Sequence, residues 1–194
     1  MPLKECVYSV LMVSSSEKFN STLTSLLPKG QFSPVSLVSS ARAAKLSLLD
    51  RSYDIIIINS PLSDDFGINL AIDIGEKTNS GVLLFVKNEF YDEVYYKTEP
   101  YGILSISKPT SSQVILQSLH LLCSTRERLK RLEVKTASIE EKMAEIRIVN
   151  RAKWLLIEYL KMNEAEAHRY IEKQAMDLRT SRKLVAENII KTYG

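Results

Sequence analysis

From Val7 to about Thr110, short apolar runs alternate with stretches of helical spacing. Tyr8 to Val13 predicts a first strand, and Phe19 to Leu27 an amphipathic helix after Ser14-Ser15-Ser16. Pro34 to Val38 predicts a second strand, and Ala41 to Leu49 a second helix. Tyr53-Asp54-Ile55-Ile56-Ile57-Ile58 is apolar on both alternating faces after its first two residues. That pattern belongs to a central strand covered on both sides, as in a parallel sheet. Val82 to Val86 and Gly102 to Ile106 complete five strands. Strands separated by helices imply right-handed crossovers and an open α/β sheet, with its crevice at the carboxyl ends of the strands.

After Pro109 the period changes. No proline or glycine occurs before the final Gly194. Thr110-Ser111-Ser112 caps a helix whose Ile115, Leu116, Leu119 and Leu122 finish the sheet domain. A heptad repeat follows, with Leu122, Leu129, Thr136 and Met143 at a and Thr125, Leu132, Ile139 and Ile146 at d. In a parallel dimer, position g faces e of the next heptad across the seam. Arg128 then meets Glu133 and Lys135 meets Glu140, while Lys142 meets Arg147 unfavourably. Two complementary pairs of three favour a parallel homodimer through a coiled coil over the alternative, an amphipathic helix packed on its own domain. Beyond Asn150, Trp154, Leu155, Leu156, Tyr159 and Leu160 carry the helix on with a broad apolar stripe. Asn163 with Glu166 reads as a capping box for a second short helix, bearing Ala167, Tyr170, Ile171, Ala175 and Met176. Thr180 reads as the cap of a third, which buries Leu184, Val185, Ala186, Ile189 and Ile190.

Charge sharpens the division. From Cys123 onward there are 16 Lys and Arg against 11 Asp and Glu, whereas the preceding part is slightly acidic. A basic C-terminal third suits an anionic partner. Cys6 and Cys123 have no metal or redox spacing and read as reduced thiols. The start Met1-Pro2-Leu3-Lys4-Glu5-Cys6 lacks the build of a signal peptide, and no run is long enough for a membrane span. A cytoplasmic protein without membrane attachment is expected.

Four stretches carry a family resemblance. They are Asn150 to Leu156, Asn163-Glu164-Ala165-Glu166-Ala167, Gln174-Ala175-Met176-Asp177 and Arg182-Lys183-Leu184-Val185-Ala186. In residue type and spacing they resemble the ANTAR domain, a three-helix module. Trp154 departs from the pattern, standing where a glycine is common. The resemblance implies binding to paired stem-loops of a leader RNA, which disfavours a terminator hairpin. The basic residues Arg151, Lys153, Arg179, Arg182 and Lys183 are the candidate RNA contacts, with the Thr180 and Ser181 hydroxyls at a helix N-terminus. Unpaired bases are read by hydrogen bonds and by stacking on aromatic or guanidinium planes. Arg179 and Arg182 suit stacking, and Lys153 a phosphate.

The N-terminal half resembles, less closely, a response-regulator receiver of flavodoxin-like fold. Lys108-Pro109 fits that family, and so does Gly67, eight residues beyond the end of the third strand. The strand-end position, where the family has a phosphorylated aspartate, holds Asn59. The acidic pair that would bind Mg²⁺ is replaced by Ser14 and Ser15, and the hydroxyl position by Val86. An amide is no nucleophile and two serines bring no charge to a divalent cation, so a degenerate pocket of Ser14, Ser15, Asn59 and Lys108 is expected. Asp64 and Asp65 read as a solvated acidic loop, and His120 and His168 as structural.

The expected organisation is a pseudo-receiver over 1–122, a coiled-coil linker over 123–149 and an ANTAR module over 150–194. The expected function is transcription antitermination through RNA, controlled without aspartyl phosphorylation, with a sensory protein as a possible second partner. No catalytic residue, metal or cofactor is expected. The competing readings are a receiver-like regulator that binds DNA through a helix-turn-helix, and a dimeric scaffold for proteins.

Overall fold

The computed structural model describes residues 6–194. Met1 to Glu5, on which the absence of a leader was chiefly read, lie outside the described residues. In chain order the elements are β1 (Tyr8–Val13), α1 (Glu17–Leu26), β2 (Phe32–Val38), α2 (Ala41–Asp50), β3 (Ile55–Asn59) and α3 (Ile68–Lys77). Then come β4 (Gly81–Lys87), α4 (Tyr91–Thr98), β5 (Leu104–Lys108), α5 (Ser112–Leu160), α6 (Glu164–Asp177) and α7 (Arg182–Tyr193).

The five strands form one parallel sheet in the order β2-β1-β3-β4-β5. The uniform isoleucines of β3 explain its central place, because alternate side chains enter different cores. Ile56 and Ile58 pack with Leu11, Val13, Leu84 and Val86 on one face. Ile55 and Ile57 pack with Val10, Met12, Leu83 and Phe85 on the other. β5 begins two residues later than the sequence suggests, at Leu104 rather than Gly102. Gly102 closes a 3-10 turn over Glu99–Tyr101 in the left-handed region (φ 68°), which glycine adopts without steric cost.

The first turns of α5 belong to this sheet domain. Ile115, Leu119, Leu122 and Cys123 enter the second core, and Lys130 Nζ lies 2.9 Å from the Asp54 carboxylate at the start of β3. Leu122, the first core position of the heptad repeat, is therefore used inside its own domain and is not open to a second chain. The chain divides into two compact units at Lys130 and Arg131, and α5 runs through both. Among the described residues no helix is long and apolar enough to cross a membrane.

Asp64 and Asp65 lie in an exposed loop, as read from the sequence, but both carboxylates also accept backbone hydrogen bonds. Asp64 accepts hydrogen bonds from the Ala41 N–H (2.7 Å) and the Arg42 N–H (3.0 Å), so it caps α2 from another segment. Asp65 accepts from the Gly67 N–H at 2.7 Å. The Asp64 carboxyl is held below the usual carboxylate range by the Arg42 and Ala41 N–H groups. At Asp54 burial opposes ionisation, but Lys130 and the Ser9 hydrogen bonds outweigh it and the carboxyl is again lowered. A carboxyl with a depressed folded pKa stabilises above its unfolded value, about 3.9, and loses that contribution as pH falls through the folded value. The urea midpoint of the N-terminal unit should hold from pH 7 to 5 and fall below about pH 4. Asp64→Ala should flatten that acid limb, and an unchanged limb would show that the cap contributes nothing.

Candidate nucleic-acid interface

Three helices build the C-terminal unit around small residues. Ala152 and Leu156 of α5, Ala167, Ile171 and Ala175 of α6, and Val185, Ala186 and Ile189 of α7 form its core. Alanines at these positions let short helices approach closely, but they bury only a narrow stripe. Trp154, Tyr159, Leu160, Tyr170, Met176 and Leu184 consequently stay exposed, contrary to the broad apolar faces read from the sequence. The Asn163–Glu166 capping box is present in both directions, at 2.9 and 2.8 Å. The cap of α7 is Ser181 rather than Thr180, since its Oγ accepts from the Leu184 N–H at 3.2 Å.

Thr180 is committed through its backbone. Its N–H donates to the Ala175 carbonyl (2.9 Å), and the Arg179 N–H donates to the Met176 carbonyl (3.1 Å). This pair of bonds is the Schellman closure of a helix, which places its next residue in the left-handed region. That residue is usually glycine. Here it is Arg179 at φ 48°, and Lys161 after α5 is similar at φ 53°. A long cation in that conformation carries a steric cost, offset in part by the negative end of the helix dipole.

The candidate contacts divide into groups. Arg179, Thr180 and Arg182 line one concavity with Met176 and Glu172. Arg182 also lines a groove of about 430 Å³ with Lys142, Ile146, Asn150, Lys153 and His168. Arg182 thus joins two adjoining hollows, both edged with cations. Arg151 and Lys183 line neither, and Ser181 is engaged as a cap. Lys153 is only 16% exposed and its ammonium lies 3.1 Å from Glu164, which weakens its suitability as a phosphate contact. Glu172, absent from the sequence reading, faces Arg182 at 3.5 Å and His168 at 3.3 Å, the latter an ion pair only when the imidazole is protonated. The i,i+4 spacing of His168 and Glu172 could have been read from the sequence, whereas the approach of Glu172 to Arg182 and of Glu164 to Lys153 crosses between helices and becomes visible only when they are packed.

The degenerate pocket of the sheet domain is assembled at the carboxyl ends of the strands. Asn59 is buried, and its Nδ2 donates to Ser14 Oγ at 3.0 Å. Lys108 Nζ donates to Asn59 Oδ1 and to the Ser60 carbonyl, both at 2.5 Å. Burial, with the nearby Lys87 charge, lowers the Lys108 pKa. Val86 is buried at the hydroxyl position, and Ser15 is exposed rather than part of the network. The arrangement is a closed set in which the Lys108 ammonium is held by a neutral amide, Asn59, and a backbone carbonyl, with the Ser14 hydroxyl beside them. Among the described residues no group of three His, Cys, Asp or Glu is placed to hold a metal ion.

Comparison with known proteins agrees with both halves. Residues 137–190 match the model of the ANTAR domain. The transcriptional regulatory protein PdtaR of Mycobacterium tuberculosis, in strains CDC 1551 / Oshkosh and ATCC 25618 / H37Rv, is 28% identical over 141 residues, 73% of this chain and 69% of the relative. The signal receiver domain of an HD domain-containing protein from Pseudomonas fluorescens Pf-5 superposes with a TM-score of 0.59 at 20% identity, over 68% of this chain and 96% of that one. The receiver domain of the TMAO respiratory system response regulator TorR gives 0.53 at 18% identity, over 61% and 98%. These two structures establish the receiver fold.

Proposed function

We propose that this chain, a receiver-fold response regulator carrying an ANTAR domain, is an antiterminator that binds leader-RNA stem-loops as a dimer without aspartyl phosphorylation. The observation that carries the reading is the left-handed Arg179 beside Arg182 at the junction of α6 and α7. A strained backbone position occupied by a long cation supports a binding role more than a packing role. Guanidinium planes there suit unpaired bases and phosphates of an RNA loop. Arg151 and Lys183 supply further positive potential, and the Thr180 and Ser181 hydroxyls lie at the start of α7. Lys153 supports the groove wall through Glu164.

The pocket chemistry supports control by means other than phosphorylation. Asn59 offers no carboxylate to a phosphoryl donor, and Lys108 is already satisfied by Asn59 and Ser60. We read the sheet domain as a protein-contact platform, for a sensory protein or a second copy. Transcription in vitro across a leader terminator tests the function. Added protein should raise readthrough several-fold, and acetyl phosphate should neither label the protein nor change that effect. No readthrough with a bound RNA would contradict it.

Glu172 moderates the same surface. Glu172→Gln removes a negative charge facing Arg182, so RNA affinity should rise about 2- to 5-fold, in keeping with the modest worth of an exposed pair. Fluorescence anisotropy with a labelled stem-loop checks this. A fall in affinity would place Glu172 in contact with the RNA instead.

A further inference from the structure

Trp154, the chain's single tryptophan, is 70% exposed in the last turns of α5. Its neighbours are mixed in a particular way. Arg151 stands one turn before it and Arg147 two turns before, both exposed and both on its side of the helix. Beside the ring lies a hollow of about 190 Å³, which Trp154 lines with Asn150, Lys153, Ile157 and Glu164. Ile157 is half-buried against the module's core and gives this hollow an apolar wall. Asn150 is exposed, and its amide has no hydrogen-bond partner among the described residues. Asn150 and Lys153 also line the larger groove that holds Arg182, so the two hollows adjoin. Of the acidic neighbours, Glu164 is occupied by Lys153 at 3.1 Å, and Glu158 follows one turn after the ring. Tyr159, also exposed, packs on Tyr193 with ring centroids 5.7 Å apart, whereas the indole has no ring partner among the described residues. An uncovered aromatic face among cations is the surface that single-stranded nucleic acids use, through base stacking and phosphate contact together.

We propose that Trp154 is a base-stacking platform, on which one unpaired base of the RNA loop lies with its edge toward Asn150. The inference rests on the RNA reading above and adds a recognition contact on α5. Stacking accepts any base, because every base has a π-face, so the indole supplies affinity and Asn150 supplies selection. A side-chain amide both donates and accepts, which suits the edge of an unpaired base. Arg147 and Arg151 attract the adjoining phosphates. Glycine, common at this position of the ANTAR pattern, offers no such face, so the contact is particular to this chain. The charges around the ring favour a polyanion over an apolar protein surface, which would have to strip water from several cations at once.

Anisotropy titrations of the full chain with a labelled stem-loop from its own leader test the proposal. Trp154→Ala should weaken binding about 5- to 100-fold, and Trp154→Phe should recover most of that loss. The slope of affinity against salt should stay as in the native chain, because no phosphate contact is removed. Melting curves of both variants should match the parent's, since the side chain lies outside the core. Abasic substitution at each loop nucleotide in turn then locates the base. At one position the loss should equal that of Trp154→Ala, and the two losses should not add. Native tryptophan emission should also be quenched as the stem-loop saturates the protein. Equal affinity in the alanine variant, or losses that add at every loop position, would overturn the stacking while leaving RNA binding intact. Unchanged RNA affinity with altered sedimentation would assign the ring to a protein contact instead. Absence of stem-loop binding by the native chain would overturn the RNA reading and this inference with it.

Discussion

Arg179→Gly is expected to separate binding from folding. Affinity for a leader stem-loop should fall about 10- to 100-fold, the range for loss of one base-stacking side chain. The melting temperature of the C-terminal unit should hold or rise, because glycine adopts φ 48° without the clash that an L side chain makes. Two opposing contributions, loss of a cation at the helix C-terminus and relief of the backbone, each amount to about 1 kcal/mol or less. Arg179→Ala is the matched control. It keeps the Cβ, so it should lose affinity as the glycine variant does but gain no stability. Circular dichroism melts and anisotropy titrations of the three proteins read both quantities. Unchanged affinity in both variants would remove Arg179 from the interface.

Lys108→Met is expected to give the largest loss of stability in the sheet domain, about 2–4 kcal/mol. Its ammonium is the donor to Asn59 Oδ1 and to the Ser60 carbonyl at the buried ends of the strands. An apolar replacement leaves both acceptors without that donor, and each unsatisfied buried group costs about 1–3 kcal/mol. Asn59→Asp should act in the opposite direction, since it gives the buried amine a counter-ion. That variant should nevertheless remain unlabelled by acetyl phosphate, as Ser14 and Ser15 still bring no charge to a divalent cation. Urea denaturation of the two variants measures the pair. A Lys108→Met midpoint equal to the parent's would mean that the network is incidental.

Much of the fold was legible because the two halves of the chain use different periods. The isoleucine run of β3 could occupy only a central, doubly covered strand, and Lys108-Pro109 with Gly67 pointed to the receiver-like arrangement. The Asn163–Glu166 capping box was readable for a local reason, since both of its hydrogen bonds lie within one turn. What escaped the sequence was mostly non-local. Asp64 caps a helix that starts 23 residues earlier in the chain, and no spacing rule announces that. Exposure of Met176 and Leu184 follows from alanines drawing the helices together, which a count of apolar positions does not register. At the candidate interface the residue types were visible, but their division was not. Only packing shows that Lys153 is held by Glu164, that Arg182 joins two hollows, and that Arg179 is left-handed.

The central claim is that the module recognises RNA through a cationic surface at the junction of its last two helices. Its most direct test is equilibrium binding of the full chain to a stem-loop from the leader of its own transcript, measured across a salt series with duplex DNA as competitor. The account predicts affinity that falls steeply with salt, as neutralised phosphates require, and that excess duplex DNA does not displace the RNA. Equal competition by duplex DNA would favour the helix-turn-helix reading. Affinity that hardly changes with salt would contradict phosphate contact altogether.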